Sequence, residues 1–317
     1  MMDEPIVTGA KRSPDEQALV AAFYKFVELP DYRDLRSPLL QRCNDLGLLG
    51  TILLAGEGLN GTVAGPEEGV RQLFEILRQD PRLADLEAKL SWAQEIPFYR
   101  MKVRLKKEIV SLGVSGIDPV NEVGEYVAPE KWNELIARPD VRLIDTRNDY
   151  EVHLGSFEGA EDPQTRSFRQ FPAWVGDHLD PREDVHVAMF CTGGIRCEKA
   201  TAYLKRQGFA NVYHLEGGIL NYLERIDPRD SKWSGDCFVF DNRVTVDHEL
   251  REGDFQVCPA CRMPLTAEDR EAPEFEPHVS CPKCFDRLTP ERREGLLERA
   301  RQIELAAERG EKHLGSR

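Results

Sequence analysis

The stretch Cys191-Thr192-Gly193-Gly194-Ile195-Arg196-Cys197 constrains this chain more than any other, because it follows the apolar run 185–190 and precedes the helix-forming run 198–204. That context places a cysteine at a strand-to-helix turn. Glycines let the backbone curl until several N–H groups face one point, and the start of a helix adds partial positive charge there. Such a point stabilises an anion. For Cys191 the consequence is a lowered pKa and a thiolate available as a nucleophile near neutral pH, with Arg196 supplying a further fixed charge. A buried structural thiol beside a glycine turn is the plainer alternative.

At 317 residues the chain is long enough for two or three domains, each with its own core. Hydrophobic and charged contents of 41% and 31% describe a soluble globular protein. No apolar run approaches the roughly 20 residues that span a bilayer. The acidic opening Met1-Met2-Asp3-Glu4-Pro5 lacks the basic and apolar regions of a secretory signal, so a cytoplasmic location is expected and no membrane partner. A net charge of −14 argues against a polyanionic partner unless the basic residues are clustered.

Without a secretory signal, clustered cysteines point to metal or catalysis and not to a disulfide scaffold. Cys258-Pro-Ala-Cys261 and Cys281-Pro-Lys-Cys284 lie nineteen residues apart. Two such knuckles supply four thiolates, which close a tetrahedral zinc site with no position left for substrate, so the zinc is expected to be structural. His278 lies between the pairs and is able to replace a cysteine there, although it reads better as a surface histidine. Cys43 and Cys237 stand alone and read as small buried hydrophobes.

Pattern and turn residues divide the chain into four parts. Residues 17–115 read as a ferredoxin-like α+β domain: a strand over 19–26, a helix over 32–43, a strand over 50–55, a hairpin return through 61–65, a helix over 66–79 and a last strand near 100–110. Residues 112–119 read as a linker. An α/β domain follows over 127–227, then a Cys-rich module over 228–286 that holds the knuckles. A charged helix and tail over 287–317 begins at Thr289-Pro290-Glu291. In Gly56-Glu57-Gly58-Leu59-Asn60-Gly61-Thr62, Asn60-Gly61 is the favoured pair for a tight hairpin turn, and Glu57 and Asn60 equip the loop to bind substrate. Arg100, Lys102, Arg104 and Lys106 alternate with Met101, Val103 and Leu105, which places four positive charges on one strand face. Like charges side by side repel unless an anion meets them, and backbone phosphates suit that surface.

The Cys191 loop resembles that of the rhodanese superfamily, and so do Leu143-Ile144-Asp145-Thr146-Arg147 with Glu151 and Val212-Tyr213-His214-Leu215-Glu216-Gly217-Gly218-Ile219. The six residues from Cys191 to Arg196 match the sulfurtransferase loop, one shorter than that of the related phosphatases. Cys197 departs from the serine or threonine often found there, and its thiol is a conceivable redox partner for Cys191. Taken with Gly56–Thr62 and the run ending Lys106-Lys107-Glu108-Ile109-Val110, the chain resembles the bacterial tRNA uridine(34) hydroxylase family over about residues 17–285. That resemblance implies oxygen-dependent hydroxylation of the wobble uridine of tRNA to 5-hydroxyuridine, with molecular oxygen as co-substrate, tRNA as partner and Cys191 in the catalytic position. No nucleotide-cofactor fingerprint is evident. Two routes stay open, addition of Cys191 to C6 of the uracil ring and a persulfide on Cys191; in both, Arg196 holds an anionic intermediate and Cys197 is able to resolve an oxidised Cys191. A persulfide-forming sulfurtransferase would use the same loop, and a tRNA-binding accessory protein would use the basic strand and the zinc module.

Overall fold

The computed structural model describes residues 16–310; the opening Met1-Met2-Asp3-Glu4-Pro5 and the end of the expected tail, from 311, lie outside them. The first unit contains β1 (Ala18–Phe26), α1 (Tyr32–Asp45), β2 (Leu49–Ala55), β3 (Gly58–Gly65), α2 (Glu67–Arg78), β4 (Lys89–Ala93) and β5 (Met101–Leu105). Its sheet has the order β4-β1-β3-β2-β5. The first four strands in that order are the antiparallel ferredoxin-like sheet, and β5 adds to it parallel to β2. The closing ferredoxin strand is therefore Lys89–Ala93, not the strand expected near 100–110. A five-residue strand carries only a short alternation, too little to mark it in the sequence.

The hairpin turn also differs from expectation. Ala55 faces Gly58 and Leu54 faces Leu59, so the chain turns at Gly56-Glu57 and Asn60-Gly61 lies within β3. Burial decides this register: it puts Ile52, Leu54, Leu59 and Val63 together on the core side, and a slip by one residue would expose them.

Period two gives the sheet two unlike faces. Leu19, Ala21, Phe23, Ile52, Leu54, Leu59, Val63, Leu90, Trp92 and Val103 pack against α1 and α2. The opposite face carries Tyr24, Asn60, Thr62, Thr51, Leu53, Lys89, Ser91, Lys102 and Arg104, mostly half-buried. The connection from β4 to β5 crosses one end of this second face, where Ile96 and Phe98 cover Val20, Ala64 and Ala93.

The second unit contains β6 (Glu125–Val127), α3 (Pro129–Ile136), β7 (Val141–Asp145), α4 (Asp149–Val152), β8 (Gly155–Phe157), α5 (Phe171–His178), β9 (His186–Phe190), α6 (Ile195–Arg206), β10 (Asn211–Leu215) and α7 (Gly218–Arg225). A parallel sheet β6-β10-β9-β7 is covered on one face by α3 and α7 and on the other by α5 and α6. Beyond it, β11 (Trp233–Gly235) pairs with β8, and β12 (Cys237–Phe238) pairs with β13 (Thr245–Val246). Cys237, Val239, Val246 and Leu250 complete the core on the α3/α7 side. The remaining elements are β14 (Gln256–Val257), β15 (Pro264–Leu265), α8 (Ala267–Glu271) and α9 (Pro290–Glu308).

The expected linker is coil, but it is not loose, because Leu112 is buried in the α5/α6 core with Val110, Val114 and Ile117 against it. Beside it, Lys199 of α6 is 2% exposed, with Glu57 at 2.8 Å and Glu108 at 2.7 Å. Glu57 also accepts the Ile109 N–H at 2.6 Å, Glu108 accepts that of Leu112 at 3.1 Å, and Asn60 donates to the Ile109 carbonyl at 3.0 Å. One buried cation thus joins the hairpin tip, the linker and the second unit. Removing one partner of a buried pair strands the other charge, so Lys199→Met should cost about 3–5 kcal/mol in equilibrium denaturation. A loss below about 1 kcal/mol, the scale of an exposed pair, would show that this cluster does not hold the two units together.

Candidate active site

Strand β9 ends at Phe190 and α6 starts at Ile195, three residues earlier than the pattern implied, so Arg196 and Cys197 stand in the first helical turn. The loop lies at the carboxyl ends of the parallel strands, where open α/β sheets place their ligands. Gly194 caps α6 at φ 100°, a conformation open to glycine at little cost. Its N–H donates to Cys191 Sγ at 3.1 Å. From the far side α7 fixes the loop: the Ile219 N–H donates to the Cys191 carbonyl at 2.9 Å and the Leu220 N–H to that of Thr192 at 3.1 Å. A side chain at Gly218 would meet the Cys191 carbonyl at 2.5 Å and the Gly194 nitrogen at 2.7 Å. Gly218 in the sequence is thus a packing requirement of the cysteine loop.

Burial raises the Cys191 pKa, but the Cys197 thiol, the Arg196 charge and the backbone N–H groups of Cys197 and Arg196 outweigh it and bring it down to about 5. Cys197 moves the other way, raised by burial and then by its bond to Cys191 and the charge on it. Cys191 is the thiolate of the pair and Cys197 the thiol. The Cys197 sulfur lies 3.5 Å from the Thr146 hydroxyl, which donates to the Phe190 carbonyl at 2.9 Å.

Arg196 is not a free charge. Its Nη1 and Nη2 donate to the two carboxylate oxygens of the fully buried Glu151, each at 2.7 Å. Glu151 in turn closes a capping box on α4 with Asn148. Asp145 and Arg147 form a second buried pair at 2.6 Å, from which Arg147 reaches the carbonyls of Glu151 and Gly155. The Asp145-Thr146-Arg147 signature and Glu151 therefore build the frame that orients Arg196.

The second face of the first sheet lies against this loop. Tyr24 of β1 donates to Glu198 Oε1 at 2.7 Å, and its hydroxyl fills the space a side chain at Gly194 would need. Tyr126 of β6 lies near enough to Glu198 to lower its pKa, and Lys89 of β4, on the same sheet face as Tyr24, lies in the field of Cys191 and Glu198. Burial raises the Glu198 pKa, the two tyrosine hydroxyls lower it and the Cys191 charge raises it, with a net rise. Tyr24, Lys89, Tyr126, Glu198, Glu108 and Lys199 were all missed by sequence reasoning. Only three carried a signal: Glu198 and Lys199 directly follow the loop, and Tyr24 is a polar-tipped ring in an apolar strand. Cys191 itself has no exposed surface.

The other expected residues fall elsewhere. Glu57 and Asn60 are held by the linker and Lys199, as described, and do not point free into the cleft. Arg100, Arg104 and Lys106 are exposed and Lys102 half-buried, with Lys102 and Arg104 on the sheet face that carries Tyr24. Burial, then the charges of Arg100, Arg104 and Arg262 of the first knuckle, disfavour the charged form of Lys102. Cys258, Cys261, Cys281 and Cys284 converge, with three Sγ···Sγ separations of 3.7–3.8 Å and all four sulfurs within 4.8 Å of one another. A tetrahedron with metal–sulfur bonds of about 2.3 Å has edges of about 3.8 Å, so the four sulfurs fit a metal ion. His278 is exposed and outside this cluster. Cys43 and Cys237 are buried, and burial pushes both thiols up to about 12.

Residues 18–109 match the family model described as UPF0176 acylphosphatase like domain, and residues 128–225 match that of the rhodanese-like domain. A tRNA uridine(34) hydroxylase of Teredinibacter turnerae is 56% identical over 299 residues, covering 94% of this chain and 93% of that one. Among solved structures, the rhodanese-like domain of an Anabaena sp. protein aligns with 35% of this chain and 78% of its own at 16% identity, with a TM-score of 0.29. A rhodanese-related protein of Thermoplasma volcanium aligns with 33% of this chain and 95% of its own at 20% identity, with a TM-score of 0.27.

Proposed function

This chain belongs to the tRNA uridine(34) hydroxylase family, and from that membership we propose that it hydroxylates uridine 34 of tRNA to 5-hydroxyuridine, with molecular oxygen as co-substrate and Cys191 as nucleophile. The observation that carries the reading is the Cys191 thiolate, held by the Gly194 N–H and the Arg196–Glu151 pair. An ionised sulfur adds to C6 of a uracil ring and makes C5 electron-rich, ready for attack on oxygen; one oxygen atom stays on C5 and the other leaves as water, taking two electrons from an external reductant and two protons. Arg196 stabilises the negative charge that this addition places on the ring oxygen, and Glu151 keeps its guanidinium in place. Cys197, protonated beside Cys191, stands ready to resolve an oxidised nucleophile as a disulfide. Glu57 and Asn60 are assigned to holding the two units together, not to substrate.

For the RNA, the basic strand provides the surface. Lys102 and Arg104 share one sheet face with Tyr24, which gives a backbone tracking the strand a route toward Cys191. Because Cys191 is fully covered, uridine 34 has to leave its stack and displace the side chains over the loop. We assign zinc to the four cysteines: when bound it crosslinks the two knuckles and supplies no reaction step. Among the described residues no helix is long and apolar enough to cross a membrane. We assign the protein to the cytoplasm, where it would meet a tRNA substrate.

Cys191→Ser keeps the size of the side chain but not its charge. In a strain carrying only this variant, nucleoside mass spectrometry should find 5-hydroxyuridine in tRNA reduced at least about 10²-fold, since a hydroxyl is un-ionised at neutral pH. Near wild-type levels would remove Cys191 from the reaction, and wild-type levels with full thiosulfate sulfurtransferase activity in its place would favour the sulfurtransferase reading. Replacing Lys102 and Arg104 together by alanine should weaken tRNA binding and reduce its salt slope by roughly one for each phosphate no longer neutralised; an unchanged slope would move the RNA surface elsewhere. Protein purified under reducing conditions should contain one zinc per chain. Cys281→Ala should lose it and soften the C-terminal module before activity falls; zinc fully retained by that variant would mean the ligands are others.

A further inference from the structure

We propose that Glu198 is the catalytic residue that takes and returns the proton at C5 of the uracil ring, with Tyr24 and Tyr126 as positioning residues for its carboxylate. The assignment rests on the addition of Cys191 to C6 argued above. Glu198 is 9% exposed, yet no arginine or lysine pairs with it among the ion pairs of the described residues; the Tyr24 hydroxyl donates to it, and that of Tyr126 lies near. Buried carboxylates that serve structure in this protein are paired with arginine, as Glu151 and Asp145 are. Glu198 differs from both, and it stands one helical turn into α6, its own N–H donating to the Gly194 carbonyl at 3.3 Å while the Gly194 N–H donates to Cys191 Sγ. One glycine therefore bonds both the sulfur of the nucleophile and the backbone of Glu198.

The groups that face Glu198 come from each element packed on it: Tyr24 from β1, Lys89 from β4, Tyr126 from β6 and Cys191 from the loop. Burial and the Cys191 charge raise its pKa toward the range useful for proton transfer, while both tyrosines oppose them. In the hydroxylated adduct, C6 is bonded to Cys191 Sγ, and C5 carries the new hydroxyl and a hydrogen. The Glu198 carboxylate accepts that hydrogen as a proton, the C5–H electron pair becomes the C5=C6 double bond, and the C6–S pair returns to sulfur. The products are 5-hydroxyuridine and the Cys191 thiolate, and Glu198 then gives its proton to water. This elimination is redox-neutral; the oxidation belongs to the preceding hydroxylation.

The same pair of residues should act on unmodified uridine without oxygen. Cys191 adds to C6, C5 takes a deuteron from Glu198 in deuterated water, and reversal with loss of the original proton leaves deuterium at C5. The test uses the full-length protein and a tRNA transcript in anaerobic deuterated buffer, with mass spectrometry of uridine 34. Wild-type protein should exchange C5–H, Cys191→Ser should not, and Glu198→Gln should exchange at least about 10²-fold more slowly while binding tRNA as before. Exchange by Glu198→Gln within about threefold of wild type would overturn the assignment and leave Cys191 standing, because general acid–base catalysis is worth more than that. No exchange by the wild type, or undiminished exchange by Cys191→Ser, would remove the C6 addition and the role of Glu198 with it. Should Glu198→Gln fail to fold, Tyr24→Phe decides. Losing a donor to the carboxylate raises its pKa, so the acid limb of the exchange rate at low tRNA concentration should move to higher pH; an unmoved limb overturns the proposal.

Discussion

A buried ammonium group sets the relation between the two α/β units. Lys199 has almost no exposed surface, and a charge in that position is tolerated only when it is paired and hydrogen-bonded. Its partners Glu57 and Glu108 come from the hairpin tip of the first unit and from the chain that leaves it. Meeting the demand of one cation therefore brings the first sheet against the start of α6. Phe26, Ala55 and Ile109 then close around Ile195 and exclude water from the junction. Since Lys199 lies next to Glu198, the latch and the site share a helical turn, and Tyr24 is carried to Glu198 and Gly194 by the same docking.

The second consequence is a division of electrostatic labour around the thiolate. Arg196 is 6% exposed and would be costly without Glu151, while burial raises the pKa of Glu151 and Arg196 is the first of the groups that bring it down. The pair is close to neutral as a unit, yet the Arg196 charge still lowers the Cys191 pKa. Backbone N–H groups, which carry no net charge to desolvate, supply the rest of the anion's stabilisation. Glu198 is left outside this arrangement, with phenols for partners. Two carboxylates within one site thus have unlike environments, one committed to an arginine and one not, and unlike environments are what separate a structural acid from a reactive one.

The C-terminal segment is tied to the same arrangement. Arg243, 4% exposed and paired with Asp241 at 2.6 Å, donates to Ser91 on the open face of the first sheet at 2.8 Å. It therefore braces the units at a second point, on the edge strand away from Lys199. The knuckle module has a core made of Cys258, Cys281, Cys284 and Leu265 with little apolar support around them. A core this small needs a further tie, and four sulfurs at tetrahedral spacing are suited to one.

By itself the sequence determined the local parts: the strand-turn-helix around Cys191, the two α/β patterns, the basic alternation on β5 and the paired knuckles. Each depends on residues within a few positions of one another, where period, glycine placement and ligand spacing act directly. It also determined the family, because Cys191–Cys197 and Gly56–Thr62 occur in one chain. Asn60-Gly61 misled for the same reason: the pair favours a turn locally, but burial of Leu59 and Val63 beside Ile52 and Leu54 set the register and moved the turn to Gly56-Glu57. Tertiary structure alone decided that Arg196 belongs to Glu151, that Glu57 serves Lys199, and that Tyr24 stands 174 positions from Glu198 in the chain yet 2.7 Å from it in space. Partners of buried charges are chosen by which elements the folded cores bring together, and no spacing along the chain encodes that choice.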